Sequence, residues 1–77
     1  MLTMQQTHLL DLLKIGGPQT DVALQENYEQ WIGPASPSGL RTRRSELVRE
    51  GLVEDSGARV VLESGRTARV WRVKRGL

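Results

Sequence analysis

At Gly51 the spacing of the apolar residues changes from helical to alternating. A chain that does this must fold as a helical part followed by a β-ribbon. Before Gly51 the apolar positions fall into three groups, each bounded by helix start and stop signals. Thr3-Met4-Gln5-Gln6 has the form of a capping box, in which a hydroxyl and an amide each satisfy a backbone N–H of the first turn. Leu9, Leu10, Leu12, Leu13 and Ile15 follow it on one face, and Gly16-Gly17-Pro18 stops the run, predicting a first helix over residues 5–14. Thr20 is the next N-cap, with Asp21 favourable at the positive end of the helix dipole. Leu24, Tyr28, Trp31 and Ile32 carry the period of a second helix over 21–31, which Gly33-Pro34 ends. Ser36 then reads as an N-cap and Pro37 as the first residue of a third helix over 37–50, with Gly51 as its C-cap. Its apolar positions are Leu40, Leu47 and Val48, and the Arg44 stem covers the gap between them.

After Gly51 the pattern is that of a hairpin over 52–74. Leu52-Val53 enters the first arm, Ser56-Gly57 marks a bulge within it, and Arg59-Val60-Val61-Leu62 completes it. Glu63-Ser64-Gly65-Arg66 is the turn, and Ala68-Arg69-Val70-Trp71-Arg72-Val73 is the returning arm. Three helices this short leave one side of their core open, and Val53, Trp71 and Val73 of the ribbon are placed to close it. Residues 74–77 read as a frayed tail. At 77 residues and 38% apolar composition, one domain spanning 1–77 with one core is expected.

Several function classes are disfavoured by composition. There is no cysteine, and His8 is the single histidine, so neither a thiolate site nor a histidine-rich metal site can be built; no metal and no cofactor is expected. Glu54 and Asp55 are adjacent on a strand and point to opposite faces, which is no arrangement for paired general acid and base. An enzyme is not expected. No apolar run reaches the ~20 residues that span a bilayer, and the first residues lack the pattern of a signal peptide. A cytoplasmic, nucleoid-associated protein is expected. The net charge of +2 hides an asymmetry: residues 1–35 carry one lysine against four carboxylates (−3), and residues 36–77 carry ten basic side chains against five carboxylates (+5). A domain that gathers its positive charge in one half offers a face to a polyanion.

The stretch Arg43-Arg44-Ser45-Glu46-Leu47-Val48-Arg49-Glu50-Gly51-Leu52-Val53-Glu54-Asp55, together with Ser64-Gly65-Arg66 and Val70-Trp71-Arg72-Val73, resembles the winged helix-turn-helix DNA-binding family, in particular its small phage and actinobacterial members. The first stretch looks like the end of that family's recognition helix and its exit into the first wing strand. The second pair looks like the wing turn and return strand. The resemblance implies an α+β, mainly α fold: a three-helix winged helix-turn-helix with a C-terminal two-stranded β-hairpin wing. It also implies sequence-specific binding of double-stranded DNA, as a transcriptional regulator or a phage-encoded accessory protein, with helix 37–50 in the major groove and the wing near Arg66 on the minor groove or backbone.

With Leu47 at the centre of the inner side of the third helix, Ser38, Arg41, Thr42 and Ser45 lie opposite it. Arg41 suits a bidentate contact to guanine O6 and N7. Thr42 and Ser45 suit hydrogen bonds to a phosphate or base, and the Ser38 and Gly39 N–H groups suit a phosphate at the helix start. Arg43 and Arg49 lie further round and suit phosphates. In the wing, Arg66 at the turn and Arg69 beside it are the candidates, with Arg59 and Thr67 nearby. Each has a plainer alternative: Arg43, Arg44 and Arg49 can pair with Glu46, Glu50 or Glu54 along the chain. Trp31, Trp71 and Tyr28 are expected in the core, and His8 on the helix surface. The competing function is a winged-helix protein–protein interaction module that does not touch DNA. The oligomeric state is left open between a monomer, cooperative binding beside a neighbour, and a homodimer through the first helix, where Leu9, Leu10, Leu12 and Leu13 offer more apolar surface than one face needs.

Overall fold

The structure is a computed structural model that describes residues 1–76. Its elements run α1 (Met4–Gly16), α2 (Asp21–Trp31), α3 (Pro37–Arg49), β1 (Val53–Val61) and β2 (Thr67–Val73). Three helices followed by a two-stranded antiparallel hairpin make the winged helix-turn-helix architecture that the resemblance implies.

The helices start where side-chain oxygens meet free backbone donors. Thr3 Oγ1 accepts from the Gln6 N–H at 3.1 Å and Gln6 Oε1 accepts from the Thr3 N–H at 2.8 Å, closing the capping box of α1. Thr20 and Ser36 cap α2 and α3 with their hydroxyl oxygens alone, accepting from the Ala23 and Gly39 N–H groups. At the end of α3, Gly51 takes φ +78°, a left-handed conformation open to glycine at little cost. This lets the Gly51 and Leu52 N–H groups reach back to the carbonyls of Val48 and Leu47. The chain therefore turns directly from α3 into β1.

The core is formed by Leu9, Leu10 and Leu13 of α1, Leu24 and Tyr28 of α2, Leu40 and Leu47 of α3, and Val53 and Trp71 of the hairpin. Leu9 and Leu47 are fully buried. The hairpin closes the open side of the helices, as its apolar residues require, with Val73 half-buried beside it. One contact has no local signal in the sequence. Gln19, in the α1–α2 connection, exchanges two backbone hydrogen bonds with Trp71, at 2.9 and 2.8 Å. It acts as a one-residue third strand along β2. Its buried side chain donates to the Leu12 carbonyl and accepts from Asn27, which joins α1, α2 and the ribbon through one residue.

Pairing within the hairpin shifts between Asp55 and Arg59, so the bulge expected at Ser56-Gly57 is present, with Gly57 at φ +87°. Three expectations are corrected. Trp31 sits on the apolar period of α2 but is 72% exposed, because it lies at the last residue of the helix, beyond the reach of the core. Ile15 is also exposed, at the far end of α1. His8 is half-buried and meets Tyr28 edge-on, with ring centroids 6.1 Å apart. In the expected tail, Lys74 donates its N–H to Leu52 and residues 74–76 are exposed; Leu77 lies outside the described residues.

Candidate nucleic-acid interface

α3 is anchored by Leu40 and Leu47, and this turns Ser38, Arg41, Thr42 and Arg49 outward as exposed side chains, with Ser45 half-buried among them. Ser38, Arg41, Thr42, Ser45 and Arg49 line one shallow surface depression. The structure thus brings five of the candidate residues together on one helix face; Arg43, four residues before Leu47, lies half-buried on the inner side of α3 instead, and Arg66 and Arg69 are on the separate hairpin.

The arginines divide by what already holds them. Arg44 does not pair along the helix. Its Nε and Nη2 donate to the two carboxylate oxygens of Asp21 at 2.9 and 2.8 Å, its Nη1 donates to Ser45 Oγ at 3.1 Å, and its guanidinium carbon lies 3.9 Å from the Trp71 ring centroid. This bidentate, ring-stacked arginine locks the start of α2, the middle of α3 and β2 together. Arg43 does pair locally: its Nε lies 3.3 Å from Glu46 Oε1, an ion pair without a well-formed hydrogen bond. The same oxygen accepts from Gln6 Nε2 at 2.8 Å, so the capping-box glutamine of α1 also ties α1 to α3. Arg72 pairs across the ribbon with Glu54 at 2.7 Å.

In the wing, Asp55 gathers several donors. Arg59 donates to both of its oxygens, at 2.9 and 3.1 Å, the Gly57 N–H donates at 2.9 Å, and Arg69 Nε lies 3.8 Å away. The Gly57 hydrogen bond and, after it, the Arg59 guanidinium hold the Asp55 carboxyl below its ordinary pKa. Five of the nine arginines are thereby paired with carboxylates. Among the described residues, those without a carboxylate partner are Arg41 and Arg49 on α3, Arg66 at the hairpin turn, and Arg75.

Two details of the expected chemistry change. The Gly39 N–H is taken by Ser36 Oγ at 3.0 Å, so it is not free for a phosphate. Thr42 Oγ1 donates to the Ser38 carbonyl at 2.9 Å, so toward a ligand it offers acceptor lone pairs rather than a proton. Ser45 accepts from Arg44 and keeps its own proton to donate. Asp21 and Asp55 were not singled out in the sequence as holders of arginine. Neither had a signal in its spacing: Arg59 meets Asp55 because the bulge lies between them in β1, and Arg44 lies 23 positions from Asp21. Among the described residues no cluster of three or more His, Cys, Asp or Glu side chains is placed to hold a metal ion, and no helix is long and apolar enough to cross a membrane.

No family model matches the sequence. Over 63 residues the chain is 40% identical to a UPF0502 protein of Polaromonas naphthalenivorans; the match takes in 82% of this chain and 28% of that protein. The chain therefore spans little more than a quarter of the length of the curated relative it matches. In three dimensions it is similar to the crystal structure of a protein from Thermoplasma acidophilum proposed to be a transcriptional regulator, with a TM-score of 0.69 covering 92% of this chain and 69% of that one. At 20% identity that likeness is one of fold.

Proposed function

We propose that this chain is the double-stranded DNA-binding module of a transcriptional regulator. The observation that carries the reading is the distribution of unpaired arginines: Arg41 and Arg49 on the outward face of α3, and Arg66 at the wing turn, have no carboxylate partner among the described residues, whereas the half-buried Arg43, Arg44 and Arg72 are paired, as are Arg59 and Arg69 in the exposed hairpin. The proposed regulatory role of the Thermoplasma protein of like fold supports it.

In this reading the N-terminal half of α3 enters the major groove. Arg41 reads a guanine edge, and Thr42, as an acceptor, suits the amino group of adenine or cytosine. Ser45, Arg49 and the backbone at Ser38 contact phosphates. Arg66 grips the minor groove or the backbone beside it. Arg43 and Arg69 are second in rank, since each would have to leave Glu46 or Asp55 to reach DNA. The chain acts as a binding surface, not as an enzyme.

The test is a fluorescence titration of duplex DNA at two salt concentrations. Affinity is expected to fall with salt, with a log–log slope of about −0.9 per phosphate neutralised. Absence of binding at low salt overturns the reading. Sequencing of duplexes selected from a random pool then distinguishes a monomer, which enriches one half-site, from a dimer, which enriches a palindrome.

One observation favours a second reading, a protein–protein interaction module. A depression lined by Leu12, Ile15, Gly16, Asn27 and Trp31 is mostly apolar, and Ile15 and Trp31 are largely exposed. If this surface mediates a homodimer, Trp31→Ser shifts the sedimentation coefficient to that of a monomer while leaving the fold intact.

A further inference from the structure

The wing holds two like charges in direct opposition. Arg59 and Arg69 are direct cross-strand partners, so two cations face each other on an exposed ribbon. Like charges in that position oppose strand pairing. Asp55 offsets the repulsion. Its carboxylate receives both prongs of the Arg59 fork at 2.9 and 3.1 Å and the Gly57 N–H at 2.9 Å, with Arg69 Nε 3.8 Å away. The bulge itself needs only an acceptor for the Gly57 N–H. The two arginines add little stability there, because Arg59 and Arg69 are 42% and 64% exposed and surface ion pairs are screened by water. Two convergent guanidinium groups around a pair of oxygens are, however, a donor set that grips a phosphate diester.

We propose that Asp55 is an internal stand-in for a DNA phosphate, filling a clamp formed by Arg59 and Arg69 and so keeping these two arginines out of the contact set of the wing. The proposal rests on the DNA-binding reading above. In the native chain the wing then contacts DNA through Arg66, and non-specific affinity is held down, because each further phosphate contact adds sequence-independent binding. Removing the charge of Asp55 frees the clamp for the backbone.

The experiment is Asp55→Asn, whose side-chain oxygen still accepts from Gly57 and so preserves the bulge. Binding to a duplex of random sequence is followed by fluorescence anisotropy across a salt series, beside the native chain. The variant is expected to bind more tightly at low salt, with a log–log salt slope steeper by about 0.9 for one added phosphate or about 1.8 for two. The triple variant D55N/R59Q/R69Q is expected to return to the native slope. If the native chain binds and Asp55→Asn has the same slope and affinity or binds more weakly, the clamp is refuted while the DNA-binding reading stands. If neither protein binds at low salt, the DNA-binding reading itself fails. Should Asp55→Asn not fold, R59Q/R69Q in the native background decides: an unchanged slope supports the withheld clamp, and a slope shallower by about 0.9 or more overturns it.

Discussion

The base and the tip of the β-hairpin are made from the same two strands, yet they are held by different physics. At the base, Val53 and Trp71 are buried against three helices, Gln19 pairs with the Trp71 backbone, and Arg44 stacks on the Trp71 ring. At the tip, Val60, Val61, Arg66 and Thr67 are exposed, and Val60 and Val61 pair with Ala68 and Thr67 of the other arm. The comparison shows where a small fold places its constraint. The base supplies the fourth side of the core and sets the angle at which the ribbon leaves the helices. The tip is free of packing duty, so its residues are available to a ligand.

Substitutions on the two sides of this divide should separate stability from binding. The largest effect is expected from Trp71→Ala, which removes a buried aromatic and the seat of Arg44; a loss of about 3–5 kcal/mol in urea unfolding is expected, close to the whole stability of a domain this size. A loss below about 1 kcal/mol would mean that the base is not the anchor. Next is Arg44→Ala, which breaks the charged hydrogen bonds to Asp21 as well as the ring contact and should cost about 1.5–3 kcal/mol. An equal loss from Arg41→Ala would erase the distinction between inward and outward arginines. Arg41→Ala should instead leave the unfolding midpoint unchanged and reduce discrimination between target and mismatched duplexes by about 1–3 kcal/mol, read from competition titrations. At the tip, Arg66→Ala should change stability by less than about 0.5 kcal/mol and make the salt slope shallower by about 0.9. The smallest effect concerns acid. Because Asp55 has a lowered pKa in the folded chain, its contribution is present above its ordinary value of 3.8 and is lost as pH falls through the lower folded value. Carbon NMR of the carboxyl groups should find its midpoint below that of an ordinary aspartate, and a midpoint at the ordinary value would mean that the clasp is open in solution.

Much of the helical part was legible in the chain. α2 has the predicted bounds, α3 differs by one residue at its end, and α1 extends the expected span at both ends. The caps at Thr3, Thr20 and Ser36, the turn at Gly51 and the bulge at Gly57 all depend on residues within a few positions of one another. The outward set of α3 could likewise be read, because the position of Leu47 fixes what lies opposite it. Trp31 misled because helical period assigns a face but says nothing of where along that face the packing partner ends.

Local rules therefore determined the order of elements, their termini and the face of α3 that meets water, since each follows from backbone geometry over one or two turns. Only the tertiary structure decided which arginines remain available. Arg44 meets Asp21 and Trp71, and Gln6 meets Glu46, across gaps of more than 20 residues. No periodicity encodes such contacts, because they arise only when three helices and a ribbon close on a common core and bring distant charges within hydrogen-bonding reach.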